Sequence, residues 1–317
     1  FPALSFPGLV PAHLLKVARF RAPTSHPGLG LDGERRPAAP KAPGARLRLG
    51  YLSADFQEHA TAYLTAALFE RHDRNRFEVI AYSTGPDDGG AMRQRLLKAF
   101  EHFVDISSLT DLEAAQQIRD DQIDILIDLK GYTKNYRIAI IAQRASPIQI
   151  SWLGFPGSLG APFIDYLIAD PIVVPPEQVI HYDEALAYLP DAYAPVDDAR
   201  QVAAIPTRAE AGLPETGFVF CCFNDPYKIT PEVFTRWCNL LQAVPDATLW
   251  LYAKSDEVIV NLKQEATIRH VAPDRIVFAR KKPQPEHLAR IALADLFLDT
   301  LPVNAHTTAS DALWMGV

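Results

Sequence analysis

The chain has 317 residues, 48% of them apolar and 22% charged, with a formal net charge of −7. That length favours two domains over one, and the apolar fraction is enough to fill two cores. The acidic balance argues against a nucleic-acid partner, because neutralising a phosphate backbone needs clustered Lys and Arg, so any phosphate bound here must be held locally.

Residues 9–20 place Leu14, Leu15, Val17, Ala18 and Phe20 at near-helical spacing, and the Pro/Gly-rich stretch 23–43 that follows reads as a linker. Within it Gly28, Gly30 and Gly33 match GxGxxG formally, but they follow a loop instead of a strand and precede Arg35-Arg36-Pro37, so the dinucleotide reading fails on context. From residue 46 strands alternate with helices. Strands are expected at 47–53, 77–82, 102–105, 123–128, 148–154 and 166–169, with helices at 62–70, 91–100 and 112–119. After an irregular stretch, 190–215, a second series runs through strands 218–223, 248–252, 275–278 and 296–298, with helices 231–243, 256–270, 285–293 and one from Thr307.

Such alternation predicts parallel sheets, hence an α/β chain of two Rossmann-like lobes with a ligand crevice at the carboxyl ends of the strands. The expected domains are 1–45 (helix and linker), 46–205 and 206–317. No run approaches the roughly 18–20 apolar residues of a membrane span, so no membrane partner is expected. Cys221 and Cys222 are neighbours on a predicted strand and Cys238 lies on a predicted helix; buried thiols in a reducing cytoplasm are the expectation. The chain begins at Phe1 and ends where Trp314–Val317 reads as a helix running toward another strand, so both ends are expected to be cut.

Several strand ends carry groups capable of chemistry. His59 lies just past the first strand, where an imidazole either caps the next helix or takes a proton from an attacking hydroxyl. Polar turns with glycines follow the fourth and fifth strands, Lys130-Gly131-Tyr132-Thr133 and Gly154-Phe155-Pro156-Gly157, and together describe the rim of a cleft where backbone can approach a ligand. Lys228 follows the first strand of the second series, before a helix opened by Thr230-Pro231, and could meet a pyrophosphate. In Asn304-Ala305-His306-Thr307-Thr308 a tight loop starts a helix, whose free amides can hold an anion without net positive charge; Thr307 is equally well read as a plain N-cap. There is no DxD, HxH or HxxxH spacing, so no metal and no other cofactor is expected, and lysine and helix amides would have to neutralise a leaving diphosphate.

Taken in order, Asp55-Phe56-x-x-His59, Gly131-Tyr132-Thr133-Lys134, Trp152-Leu153-Gly154-Phe155-Pro156-Gly157, Phe223-Asn224-x-x-Tyr227-Lys228, Glu286-His287 with Arg290, and His306-Thr307-Thr308-x-x-Asp311 resemble the catalytic region of the protein O-linked N-acetylglucosamine transferase family over residues 46–317. The resemblance implies a GT-B type, inverting, metal-independent enzyme that moves N-acetylglucosamine from UDP to Ser or Thr hydroxyls of a protein or peptide acceptor. It implies His59 beside the reacting sugar as base or positioning group, and Lys228 on the diphosphate. Thr307 and Thr308, with His306 beside them, match the phosphate-binding helix start, and Asp311 the ribose. His287, Arg290 and Lys282 match the surroundings of the uracil, while Tyr132, Thr133, Gly154, Pro156 and Tyr227 line the cleft. It also implies an array of tetratricopeptide repeats before the catalytic region. Asp225 stands where the family has Gln, and Gln284 replaces a lysine near the uracil loop. The short 190–215 stretch leaves no room for the inserted domain of animal enzymes, which suggests a bacterial relative. Other readings are a UDP-glucose-dependent Asn glucosyltransferase, a UDP-sugar epimerase of the same fold, and a scaffold without activity.

Overall fold

The computed structural model describes residues 10–24, 37–38 and 40–317; the Gly28–Gly33 match lies outside the described residues. The chain forms two compact units, one running up to Asp198 and the other from Ala199 to Val317.

In the first unit, helix α1 (Pro11–Thr24) precedes β1 (Leu47–Ser53), α2 (Ala60–Glu70), β2 (Phe77–Ser83), α3 (Ala91–Ala99), β3 (His102–Asp105), α4 (Asp111–Asp120), β4 (Ile125–Asp128), α5 (Ile138–Ala142), β5 (Ile148–Ser151), β6 (Tyr166–Ala169) and β7 (Ala185–Tyr188). The sheet is parallel throughout, in the order β3-β2-β1-β4-β5-β6-β7. Strand burial explains the order: the inner residues of β1 and β2 are buried on both faces, as a sheet covered by helices on each side demands. One face packs Phe56, Phe69, Leu96 and Phe100 under α2 and α3, and the other packs Ile118, Ile140, Ile141 and Phe163 under α4 and α5. Helix α4 begins where Thr110 and Glu113 cap each other's backbone amides.

The second unit repeats the plan with β8 (Val219–Cys222), α6 (Pro231–Ala243), β9 (Thr248–Tyr252), α7 (Asp256–Ile268), β10 (Ile276–Ala279), α8 (Gln284–Ile291), β11 (Leu296–Phe297) and α9 (Thr307–Trp314). Its sheet is also parallel, ordered β10-β9-β8-β11. Thr230 caps α6 by accepting the Val233 N–H at 3.3 Å with Pro231 in the first turn, as its sequence predicts. Both sheets thus start from a central strand, grow outward one way, and reverse at the fourth strand. The reversals fall between β1 and β4 and between β8 and β11, the topological switch points where such sheets open a crevice.

Three expectations need correction. The fifth strand stops at Ser151 instead of Gly154, because the chain turns at Leu153, whose φ is 72°. The elements α5 and β7 were not anticipated, being too short to show a periodicity. Residues 199–205, assigned from sequence to the first lobe, go with the second: Arg200 Nη1 meets Asp311 Oδ1 at 2.8 Å and the Ala203 N–H donates to Pro285 O at 3.1 Å.

Candidate functional site

In the first unit, chemistry gathers where β1 and β4 end. Asp55 and Lys130 are both buried, with Lys130 Nζ 2.6 Å from Asp55 Oδ2. Asp128, at the end of β4, accepts the backbone N–H groups of Lys130 at 3.0 Å and Gly131 at 2.8 Å, and complete burial pushes its carboxyl up to about 6. His59 stands at the N-cap of α2; its Nδ1 accepts the Thr61 N–H at 3.2 Å and lies 3.5 Å from Asp55 Oδ2. It therefore caps the helix, and its side chain, 45% exposed, is still accessible from the switch point.

The polar turns behave differently from what was expected. Tyr132 is not on a rim: it is buried, donates its hydroxyl to Leu159 O at 2.8 Å and packs edge-on against Phe155. Gly154 serves the protein's own backbone, since a Cβ there would come within 2.1 Å of Leu129 O. Thr133 is half-buried with its hydroxyl on Lys130 O at 2.9 Å, and Pro156 is exposed.

In the second unit the loop after β11 is built around Asp299. Its carboxylate accepts the N–H groups of Thr300 and Ala305, each at 2.7 Å, and the Asn304 amide at 2.8 Å. This holds the Asn304 carbonyl 3.0 Å from Lys228 Nζ, at the end of the 3-10 turn Pro226–Lys228. Asn224 bridges the two switch-point loops, donating to Thr300 Oγ1 at 2.8 Å and accepting the Thr308 hydroxyl. Helix α9 then starts at Thr307 with His306 in the N-cap position and no capping bond from the His306 side chain, so Thr307 is the first helical residue and not the cap. The first amides of a helix have no acceptor within it, and here they lie on the loop that carries Lys228's partner. Partial burial lowers the Lys228 pKa, and nearby Asp299 opposes the shift.

Asp225 pairs with Lys254 at 3.1 Å and accepts the Tyr227 N–H, so the carboxylate that replaces the family's Gln is neutralised by a lysine other than Lys228. Tyr227 is exposed beside it. Further along, His287 Nδ1 accepts from Arg290 Nη2 at 2.9 Å and Nε at 3.2 Å, and Arg290 Nη1 donates to Arg280 O at 2.7 Å. Both side chains pack on Phe223, with ring and guanidinium each centred 5.3 Å from it. Burial, reinforced by Arg290, pushes His287 down to about 4, and burial pushes Arg290 down to about 10. Lys282 is exposed and paired with Glu286 at 3.2 Å. Asp311 is buried between Arg200 and the Gln284 amide, 3.4 Å away, and burial pushes it up to about 6. Sequence reasoning missed Arg200, which sits in an irregular stretch with no motif, and although it singled out the turn of Lys130 and the loop before α9, it gave no role to the side chains of Lys130, Asp299 or Asn304.

Two parallel sheets, each with polar groups drawn to its switch point, give the chain the fold class of the GT-B type glycosyltransferases. The chain belongs to glycosyl transferase family 41, whose model matches residues 35–204 and 194–317. A curated relative, the probable UDP-N-acetylglucosamine–peptide N-acetylglucosaminyltransferase SEC of Arabidopsis thaliana, is 41% identical over 278 residues, covering 86% of this chain and 28% of the relative. Among solved structures, a mutant O-GlcNAc transferase of Thermobaculum terrenum is 31% identical with a TM-score of 0.87, covering 99% of this chain and 59% of that one. Anabaena HepE in complex with UDP and glucose is alike in fold alone, at 12% identity and a TM-score of 0.54 over 86% of this chain and 79% of that one. The chain therefore spans between about a quarter and three fifths of the length of its first relatives. No described helix is long and apolar enough to cross a membrane.

Proposed function

We propose that this chain carries the catalytic region of a transferase that moves N-acetylglucosamine from UDP-GlcNAc to Ser or Thr hydroxyls of a protein or peptide acceptor, by one inverting displacement at the anomeric carbon. The observation that carries the reading is the loop–helix junction at 299–308: Asp299 fixes the loop, the Asn304 carbonyl holds Lys228, and α9 opens beside them. A departing diphosphate would meet one ammonium group, the hydroxyls of Thr307 and Thr308 and a set of helix amides, which together can stabilise it without a metal. The names of the family's relatives supply the sugar and the peptide acceptor.

In this reading Asp311 takes the ribose through Oδ2, which accepts the Gln284 amide at 3.4 Å and is not paired with Arg200, and His287, Arg290 and Lys282 surround the base. His59 serves the acceptor side. The setting is a reducing cytoplasm, where the buried thiols of Cys221, Cys222 and Cys238 stay reduced.

The test is calorimetric titration with UDP, with and without a chelator, followed by transfer from UDP-GlcNAc to a Ser/Thr peptide scored by mass spectrometry. Binding and an N-acetylhexosamine increment are expected in the presence of the chelator. A hexose increment from UDP-glucose on Asn, conversion of the UDP-sugar without an acceptor, or binding that needs a divalent cation would each overturn it.

A further inference from the structure

Asp225 and Lys254 come from neighbouring strands of the second sheet. β8 ends at Cys222 and β9 at Tyr252, and Cys222 is in register with Leu251, so both side chains leave the same carboxyl edge just past their strands. Lys254 Nζ stands 3.1 Å from Asp225 Oδ1 and 3.4 Å from Oδ2. The two side chains are 53% and 40% exposed, and a pair so placed contributes little to stability, because water screens it and two side chains must be held still.

What sets this pair apart is the turn it sits on. Asp225 opens the 3-10 turn Pro226–Lys228: its backbone carbonyl accepts the Lys228 N–H at 2.9 Å, and its carboxylate accepts the Tyr227 N–H at 3.4 Å. The carboxylate is thereby tied to the turn that carries the Lys228 ammonium. Burial lowers the Lys228 pKa, and Asp225 is among the charges, led by Asp299, that oppose the shift, so its field reaches that ammonium. Asp299 is engaged by the Thr300 and Ala305 N–H groups and the Asn304 amide. The charge of Asp225 is met by Lys254. A lone carboxylate fixed beside a diphosphate site would repel the phosphates and compete with them for Lys228; a cation paired with it cancels most of both effects, since the field of a close ion pair falls off faster than that of one charge.

We propose that Lys254 is a positioning residue for the donor's diphosphate: by pairing with Asp225 it keeps that carboxylate from drawing off Lys228 and from repelling the phosphates. That a diphosphate binds at Lys228 rests on the transfer reading above; the restraint of Asp225 by Lys254 does not.

The experiment is calorimetric titration of the whole chain with UDP at about 0.1 M and about 1 M salt, between which the Debye length shrinks from about 10 to about 3 Å. Lys254→Met is expected to weaken binding about 5- to 10-fold at the lower salt, a loss that shrinks at the higher, since an unpaired surface charge is screened and a distorted loop is not. Lys254→Met/Asp225→Asn, which removes both charges together, should bind within a factor of about 2 of wild type. Asp225→Asn alone keeps a capping side chain, because Asn caps as well as Asp, and should bind UDP at least as tightly as wild type. Wild-type affinity in Lys254→Met, a loss insensitive to salt, or a loss retained in the double change overturns the proposal, the last by making Lys254 a direct phosphate ligand. Weaker binding in Asp225→Asn overturns it too, even if Lys254→Met fails to fold. A wild type that binds no UDP removes the transfer reading and this one with it; a wild type that binds, with Lys254→Met unchanged, removes this one alone.

Discussion

Acid should destabilise the second unit chiefly through His287. The imidazole sits at about 4 against an ordinary 6.5, because it is buried and its Nδ1 accepts two N–H groups of Arg290. A histidine with a depressed folded pKa binds its proton in the unfolded chain first. Its contribution to stability is therefore whole above pH 6.5 and is lost as pH falls toward 4. The full gap is worth about 3 kcal/mol, and about 2 kcal/mol of it should be gone by pH 5. Asp311 and Asp128 push the other way: both sit at about 6, so the native state gains protons before the unfolded chain does and is relatively stabilised as pH falls through 6. The comparison that isolates His287 is denaturant unfolding of wild type against His287→Gln from pH 7.5 to 5, followed by fluorescence of Trp237 and Trp250, which are buried in that unit. The variant is expected to start less stable and to lose about 2 kcal/mol less over the interval. Parallel curves for the two proteins would refute the claim that a buried neutral imidazole holds this part of the fold.

Lys228→Ala should lower kcat for transfer by about 10²-fold or more, the usual loss when a preorganised charge-stabilising donor is removed, with an unchanged circular-dichroism spectrum. Arg200→Met leaves the Asp311 carboxylate buried without its cation and is expected to cost about 3–5 kcal/mol in denaturant unfolding. The double change Arg200→Met/Asp311→Leu should recover most of that stability but not UDP binding by calorimetry. Gly154→Ala should destabilise by about 1–3 kcal/mol, since its Cβ cannot fit against Leu129 O without a backbone shift; a thermal melt superimposable on wild type would contradict the packing.

How far the residues alone could be read depended on the distance between cause and consequence. Regular alternation of apolar runs and capped helices is a local property, so β3, β6, β9 and α6 fall at the positions their own residues specify. Likewise Thr230 and the Thr110–Glu113 box act within one turn of chain. That His59, Lys228 and the start of α9 lie just past strand ends was legible, because the strands before them are local patterns. Lys130 was not. A lysine in a glycine-containing turn looks solvated until Asp55, 75 residues earlier, is seen to bury with it. Arg200 reaches Asp311 across 111 residues, and Tyr132 was misplaced because a tyrosine in a polar turn gives no sign that its ring meets Phe155 and its hydroxyl Leu159 O.

The sequence's own periodicities and caps settled most of the strands and helices, the short α5 and β7 excepted, and with them the fold class, because those preferences are decided over a few residues. Strand order, the two switch points, the pKa shifts of His287 and Asp311, and the buried Asp55–Lys130 pair belong to the folded chain. Burial and charge pairing arise only when residues remote along the backbone are brought within a few ångströms, and no local pattern encodes the neighbour that will arrive.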